Sequence, residues 1–217
     1  AVMLKEKLNH NPCVMQIPIG LEDKLEGVVD LIKMKAYYFK GDNGDDLIET
    51  EIPDNLKDQA QEYREKLVDC CADFNDEVME KAMEGNYNDI PEELLKSTIR
   101  KATIDLAMTP VFMGSAHKNI GIQKLLDGVA DYLPDPTEVE NIALDVDNGE
   151  KEVVLQTDDK KPLVCYAFKL ENGQYGQLTY IRIYQGMIRK GDSIYNMATG
   201  KKVSVGRLRR MHSNTPI

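Results

Sequence analysis

Residues Thr109 to Leu133, TPVFMGSAHKNIGIQKLLDGVADYL, constrain what this chain can fold into more than any other stretch. TPVFM is a short apolar run of strand type, and Gly114-Ser115-Ala116 is a turn. Ile122, Leu125, Leu126, Val129 and Leu133 then recur at helical spacing on one face. The chain before this strand, turn and helix reads as an excursion that leaves a fold and returns here. The chain after Pro136 reads as a separate all-β unit.

The excursion has two textures. Val2, Leu4 and Leu8 form a helix end with no capping residue before it, as if the chain starts inside an element, and His10-Asn11-Pro12 stops it. Val14 to Gly20 is a strand in which Pro18 points to an edge or a bulge. GVVDLI from Gly27, MKAYYFKG and LIETEI are further strands, with GDNGDD (Gly41 to Asp46) as a turn and Asn43-Gly44 as its hairpin signal. The expectation is a small antiparallel sheet. From Pro53 the period becomes helical: Asp54 or Asn55 caps a helix carrying Leu56, Ala60, Tyr63, Leu67 and Cys70 or Cys71. Its opposite face carries Asp58, Glu62, Glu65 and Asp69. A second helix spans Asp76 to Met83 and ends at Gly85. A third opens at Pro91 and continues through Leu94, Leu95, Ile99, Ala102 and Leu106.

Pro134 and Pro136 end the helix after the turn and stiffen a linker. Residues 139–160 are polar and weakly patterned, and read as a loose connection or a long hairpin. From Pro162 the pattern is purely β. PLVCYAFKL, QLTYIRIY, DSIYNM and KVSVGRL are four strands, punctuated by Asn172-Gly173, Gly186, Gly191 and Gly200. They make part of a barrel, without a fifth or sixth strand to close it.

Composition narrows the chemistry. At 217 residues, 42% hydrophobic and 29% charged, the chain is of ordinary globular make-up, and no apolar run is long enough to span a bilayer. Cys13, Cys70, Cys71 and Cys165 contain no Cys-x-x-Cys pair, and with His10, His117 and His212 they make a poor zinc site; inert thiols are the plain reading. The serines lack a His and Asp arrangement, and the paired acids Glu92-Glu93 and Asp158-Asp159 sit in a helix start and a turn rather than in acid–base positions. No catalytic residue is assigned. The net charge of −10 divides into +7 over residues 177–217 and −17 before them, so the two halves suit different partners.

Three stretches in register resemble elongation factor G, the translocase GTPase of protein synthesis, in its mitochondrial-type form. Gln16 to Ala36 (QIPIGLEDKLEGVVDLIKMKA) is similar to the start of that family's insert in the GTPase domain. Thr109 to Pro136 is similar to the last strand, guanine loop and closing helix of that domain. Phe168 to Asn196, with RLRRMHSN (Arg207 to Asn214), is similar to the opening half of the second domain. The resemblance implies an α/β and α+β fold: the C-terminal edge of a P-loop-type GTPase domain carrying an α+β insert, followed by a partial antiparallel β-barrel. It implies a GTPase-domain helix end at 1–12, the insert at 13–106, the strand, guanine loop and helix at 107–135, a linker at 136–161, and an incomplete barrel at 162–217.

The family's phosphate loop G-x-x-x-x-G-K-[ST], its Asp-x-x-Gly switch and its Asn-Lys-x-Asp guanine motif are absent from this sequence. The resemblance therefore implies an internal piece of the translocase. The intact protein is expected to hydrolyse GTP, with Mg2+ implied, on the ribosome, and the piece alone to be inert and to bind no cofactor. At the guanine loop the resemblance assigns Ser115 to brace the turn and the Ala116 N–H to the guanine keto oxygen, beside His117, which stands where the family usually has an apolar residue. A donor there rejects adenine, whose amino group leaves it unpaired. Read alone, Gly-Ser-Ala is only a strand-to-helix turn.

Asp58, Glu62, Glu65 and Asp69 fall in the insert, which in the family contacts the stalk protein of the large ribosomal subunit; a solvated helix face is the plain alternative. Lys201, Lys202, Arg207, Arg209 and Arg210 suit phosphate contacts, and the family's second domain touches small-subunit ribosomal RNA; an ordinary charged barrel surface is the alternative. Arg207 and Arg209, on a strand, would share one face, with Arg210 on the other. Ribosome and GTP or GDP are the expected partners, with no membrane, and the expected compartment is the mitochondrion or, alternatively, the plastid. Two other functions remain open: a non-enzymatic ribosome or RNA interaction module, and a related GTPase acting in ribosome recycling or release.

Overall fold

The computed structural model describes residues 1–41, 44–173, 176–212 and 215–216, and the chain divides into two compact units at Pro134/Asp135. Asn43, half of the expected hairpin signal, lies outside the described residues, as do Ser213 and Asn214. The first unit contains α1 (Val2–Leu8), β1 (Pro12–Val14), β2 (Gln16–Ile19), β3 (Gly27–Asp30), β4 (Lys35–Lys40) and β5 (Asp46–Thr50). It continues with α2 (Lys57–Ala72), α3 (Asp76–Met83), α4 (Glu92–Ile104), β6 (Thr109–Val111) and α5 (Ile122–Tyr132).

The strand expected from Val14 to Gly20 is two strands. β1 pairs in parallel with β6, Cys13 opposite Pro110, whereas β2 joins an antiparallel sheet of order β2-β3-β4-β5. Met15 is the switch: its N–H donates to the Val111 carbonyl (3.0 Å) and its carbonyl accepts from Leu31 (3.1 Å). One residue thus serves two sheets through its two backbone groups, and a continuous apolar run gives no sign of the change. β2 is an edge strand, which accommodates Pro18, whose missing N–H no neighbour needs.

The four-stranded sheet is covered on both faces. Val29 and Ala36, paired across β3 and β4, join the main core with Leu67, Val68, Leu95 and Ile99 of α2 and α4. Val28 and Tyr37, the neighbouring pair, join Phe39 and Ile120 in a second cluster on the other face. Leu67, Leu95 and Ile99 are each fully buried and contribute about 1.5–3 kcal/mol apiece.

Arg64 is the unexpected member of the buried face of α2, at 2% exposure. Its Nη1 donates to the carbonyls of Leu31 (2.9 Å) and Ile32 (3.1 Å), and its Nε to that of Tyr87 (3.3 Å). These carbonyls lie in turns with no ladder partner, and the long apolar stem lets the charge reach them. Burial holds the guanidinium below its usual pKa.

Two helix-end expectations need correction. Neither Asp54 nor Asn55 caps α2: a 3-10 turn at Asp54–Leu56 leads into it, and the Asp54 carboxylate pairs with Lys57 at 2.6 Å instead. Leu106 is not on the face of α4; the helix ends at Ile104, and Leu106 has φ 57° and is 92% exposed. The apolar stripe of α5 does not face the core. Leu125, Leu126, Val129 and Leu133 are 41–62% exposed, while Gly128 and Tyr132 are buried. The helix docks where its surface is lowest: a Cβ on Gly128 would lie 2.4 Å from Phe112 Cζ, so the bare glycine admits the ring, which then lies 6.2 Å from that of Tyr132. α3 is capped by Asn75, whose Oδ1 accepts from Glu77 and Val78.

The second unit is antiparallel throughout, an open set of hairpins of barrel type. β7 (Asn141–Asp145) pairs with β8 (Lys151–Leu155), so of the two expectations for this stretch, connection or hairpin, it is the hairpin that forms. β9 (Val164–Gly173) pairs with β10 (Gly176–Gln185), β11 (Ser193–Asn196) with β12 (Lys201–Ser204), and β13 (Met211–His212) with β14 (Thr215–Pro216). β13 and β14 are additions to the four strands expected after Pro162. Arg207, Arg209 and Arg210 lie on no strand: after Val205 donates to the Asp192 carbonyl the chain leaves the β11–β12 ladder. Among the described residues of this unit none is fully buried, and Phe168 and Leu170 remain 57% and 65% exposed.

Candidate functional site

Residues 114–119 sit just beyond the carboxyl end of β6, where ligands of parallel sheets gather. Ser115 and Ile120 form an antiparallel bridge through reciprocal bonds, Ser115 N–H to the Ile120 carbonyl (2.8 Å) and Ile120 N–H to the Ser115 carbonyl (3.0 Å). Ala116, His117, Lys118 and Asn119 are the turn between them, closed by Asn119 N–H donating to the Ala116 carbonyl at 3.3 Å. Asn119 takes φ 52°, a conformation its short polar side chain tolerates. Two glycines let the turn fold this tightly. A Cβ on Gly114 would lie 2.3 Å from the Ile120 carbonyl, and one on Gly121, at φ 79°, would lie 2.5 Å from the Met113 carbonyl.

The turn's tip faces outward: Gly114, Ala116 and His117 are exposed and Ser115 is half-buried. The Ser115 hydroxyl accepts from the Lys118 N–H at 3.4 Å, a long bond that holds the tip in place. The Ala116 N–H meets no acceptor among the described residues, so it is available to a keto oxygen presented from outside. His117, next along the turn, is an exposed ring.

The acidic residues of α2 keep their common face but are not equivalent. Asp58, Glu62 and Asp69 are exposed and Glu65 is half-buried. Glu62 pairs with Lys66, and Glu65 accepts from Gln61 Nε2 at 3.0 Å. Asp69 holds the Tyr87 phenol above its usual pKa by its negative charge. Asp58 is the member of the set with no partner among the described contacts.

The basic residues separate into two groups. Lys201 and Lys202 lie on β12, with Lys202 Nζ 5.3 Å over the Tyr195 ring. Arg207, Arg209 and Arg210 line a groove of about 490 Å³ with Gln177 to Ile181 of β10. Tyr180 is in that groove, and Lys169 Nζ lies 5.3 Å over its ring. Among the described residues no three His, Cys, Asp or Glu side chains could hold a metal ion.

Sequence reasoning missed Lys118 and Gln123, which tie this turn to the four-stranded sheet. Lys118 Nζ donates to the Asp23 carbonyl (2.8 Å) and Gln123 Nε2 to the Gly44 carbonyl (3.0 Å). Nothing local announces partners 95 and 79 positions away.

One family model matches part of the second unit, and several relatives match nearly the whole chain. Residues 176–217 match the family model of elongation factor Tu domain 2. The chain is 56% identical over 211 residues to elongation factor G 1 of Borrelia garinii subsp. bavariensis, a match covering 97% of this chain and 30% of that protein. Elongation factor G 2 of Anaeromyxobacter dehalogenans (55%) and elongation factor G 1 of Treponema pallidum (51%) match with the same coverage. A crystal structure of a protein from Thermus thermophilus shares the fold, with a TM-score of 0.67 at 22% identity over 99% of this chain and 29% of that one. The chain spans about 30% of the length of the relatives it matches, and over that span it is similar to elongation factor G.

Proposed function

We propose that this chain is part of a ribosomal translocase that binds and hydrolyses GTP to drive movement of tRNA and mRNA during elongation. The observation that carries the reading is the Ser115–Ile120 turn at the end of β6. It offers an unpartnered N–H to a base, in a chain that matches elongation factor G over 97% of its length. In this reading the Ala116 N–H donates to the guanine keto oxygen, Ser115 braces the turn, and His117 flanks the base. The nucleotide, with Mg2+, would supply the cleavable phosphate; these residues select and orient its base and carry no step of the chemistry.

Two further contacts complete the proposal. Arg207, Arg209 and Arg210, with Lys201 and Lys202, meet the phosphates of small-subunit ribosomal RNA, the groove beside Tyr180 admitting a base or ribose. Asp58, Glu62, Glu65 and Asp69 meet the large-subunit stalk protein, Asp58, Glu62 and Asp69 being the more accessible carboxylates. The exposed stripes of α1 (Val2, Met3, Leu8) and α5 (Leu125, Leu126, Val129) support a chain that works within a larger body.

The test is GTP hydrolysis by the full-length protein with and without ribosomes. Ribosome-stimulated turnover with factor-dependent movement of mRNA is expected. Turnover without mRNA movement would assign the protein to ribosome recycling or release, and no turnover would leave the interaction-module reading. The 217-residue chain alone should bind no GTP at micromolar concentration in titration calorimetry. For the compartment we propose the mitochondrion, with the plastid as alternative. The support is the resemblance of residues 16–36, 109–136 and 168–196, while the relatives named above are bacterial. Imaging of the tagged full-length protein decides it.

A further inference from the structure

We propose that the four-stranded sheet sets the shape of the guanine turn, with Gln123 and Lys118 as the positioning residues that transmit it; this rests on the guanine reading of the turn. The turn by itself is weakly held. Its own bonds among the described contacts include the Ser115–Ile120 pair, the 3.3 Å closure from Asn119, and the 3.4 Å bond to the Ser115 hydroxyl. Further attachments among the described residues come from β2–β5 and their connections.

Three attachments surround the turn. Ile120, 7% exposed, is its anchor, packed with Val28, Tyr37 and Phe39 on the outer face of the sheet. On one side, Lys118 Nζ reaches the Asp23 carbonyl between β2 and β3. On the other, Gln123 Nε2 reaches the Gly44 carbonyl between β4 and β5. Gly44 is seated so closely that a Cβ there would lie 2.9 Å from the Asn119 carbonyl and 3.1 Å from that of Lys118. The hairpin backbone is therefore in direct contact with the turn backbone.

Gln123 is committed to this contact. Its Oε1 is buried and unpartnered among the described residues, so the side-chain amide is held by the single bond through Nε2. A buried polar atom left unpaired costs free energy, and the bond to Gly44 is what the position gains in return. Neither Gln123 nor Lys118 contacts the Ala116 N–H. They act by restricting the conformations of residues 116–119, so that the donor is already aimed before the base arrives and no ordering cost falls on binding. A displacement of the β4–β5 hairpin or of the Asp23 turn by a partner on the sheet would move this donor directly.

The experiment uses the full-length protein with Gln123→Met, Lys118→Met and, as the conservative variant, Lys118→Arg. Met keeps the length and packing of either side chain and removes the donor. GDP affinity is read by titration, ADP by competition, and amide exchange of residues 116–119 by mass spectrometry. Each Met variant should weaken GDP by roughly three- to tenfold, the loss of one hydrogen bond. ADP binding should stay unchanged, exchange should accelerate, and Lys118→Arg should behave as the wild type. Normal GDP affinity and exchange in both Met variants would overturn the proposal, as would parallel losses of GDP and ADP. A wild-type protein that binds no GDP would overturn the guanine reading, and this proposal with it. Melting temperatures of the variants separate a positioning defect, which leaves them unchanged, from a folding one.

Discussion

The Arg64 Nη1 lies 2.9 Å from the Leu31 carbonyl and joins α2 to the end of β3 across 33 positions of chain. The same nitrogen also serves Ile32. Replacing Arg64 by Met keeps the stem and strands three carbonyls in a dry interior. At about 1–3 kcal/mol for an unpaired buried group, part of it relieved by water entry, the expected loss is about 3–5 kcal/mol. Urea unfolding followed by helical circular dichroism measures it, and a change under about 1 kcal/mol would show the bonds to be incidental.

Tyr132 contributes to the alkaline limit of the first unit. Burial, then the negative charges of Asp30 and Asp131, raise its phenol well above the ordinary value near 10. Below that value the phenol is neutral whether the chain is folded or not, and the folded state has its full stability. As the pH rises past 10 the unfolded chain ionises first, and stability falls. Tyr132→Phe should leave the melting temperature at about pH 7 within about 2 °C and flatten its decline between about pH 10 and 11.

Leu126 and Val129 are 62% and 46% exposed, so Leu126→Gln with Val129→Gln should change the stability of this chain by less than about 0.5 kcal/mol. In the full-length protein, where the proposed function has this stripe covered, the same pair should cost about 2–4 kcal/mol. Equal effects in the two proteins would argue against a covered stripe.

Cysteine reactivity should follow the hydrogen bonds. The Cys13 thiol donates to Cys70, which lowers the pKa of Cys70 and raises that of Cys13, already buried. Cys70 is also half-exposed, whereas Cys13 and Cys71 are buried. Iodoacetamide at about pH 7.5 should modify Cys70 first and Cys13 last, by peptide mass spectrometry. Cys165, raised by burial, should react more slowly than Cys70.

Local signals carried much of this fold. Asp76 to Met83, the start after Pro91 and the hairpins after Pro162 were legible because turn residues and period are written in adjacent positions. The failures share a cause. The buried Arg64, the inverted docking of α5 and the Met15 switch all depend on what a distant element presents. A leucine stripe is the normal mark of a buried face, but Gly128 offers Phe112 a closer fit than any leucine can. At the site, Gly114, Ser115 and Ala116 stood out as a turn beside a strand. Lys118 and Gln123 carried no sign of their role, because their partners are backbone carbonyls, which no side-chain pattern encodes.

The parallel pairing of β1 with β6 has a consequence for how this region varies. Parallel neighbours cannot be joined by a tight turn and need a connection of roughly a dozen residues or more. Here the whole stretch from Met15 to Met108 is that connection, and it begins and ends one strand spacing apart. Closing a loop costs only about 0.6 kcal/mol more for each doubling of its length, so such a connection can grow, shrink or be exchanged without disturbing the strands at its mouth. The freedom is topological and has one limit. Any replacement must still bring an apolar patch beneath Ile120 and a carbonyl to Gln123, so lineage-specific variation should concentrate in α2, α3 and α4 and spare β3 and β4.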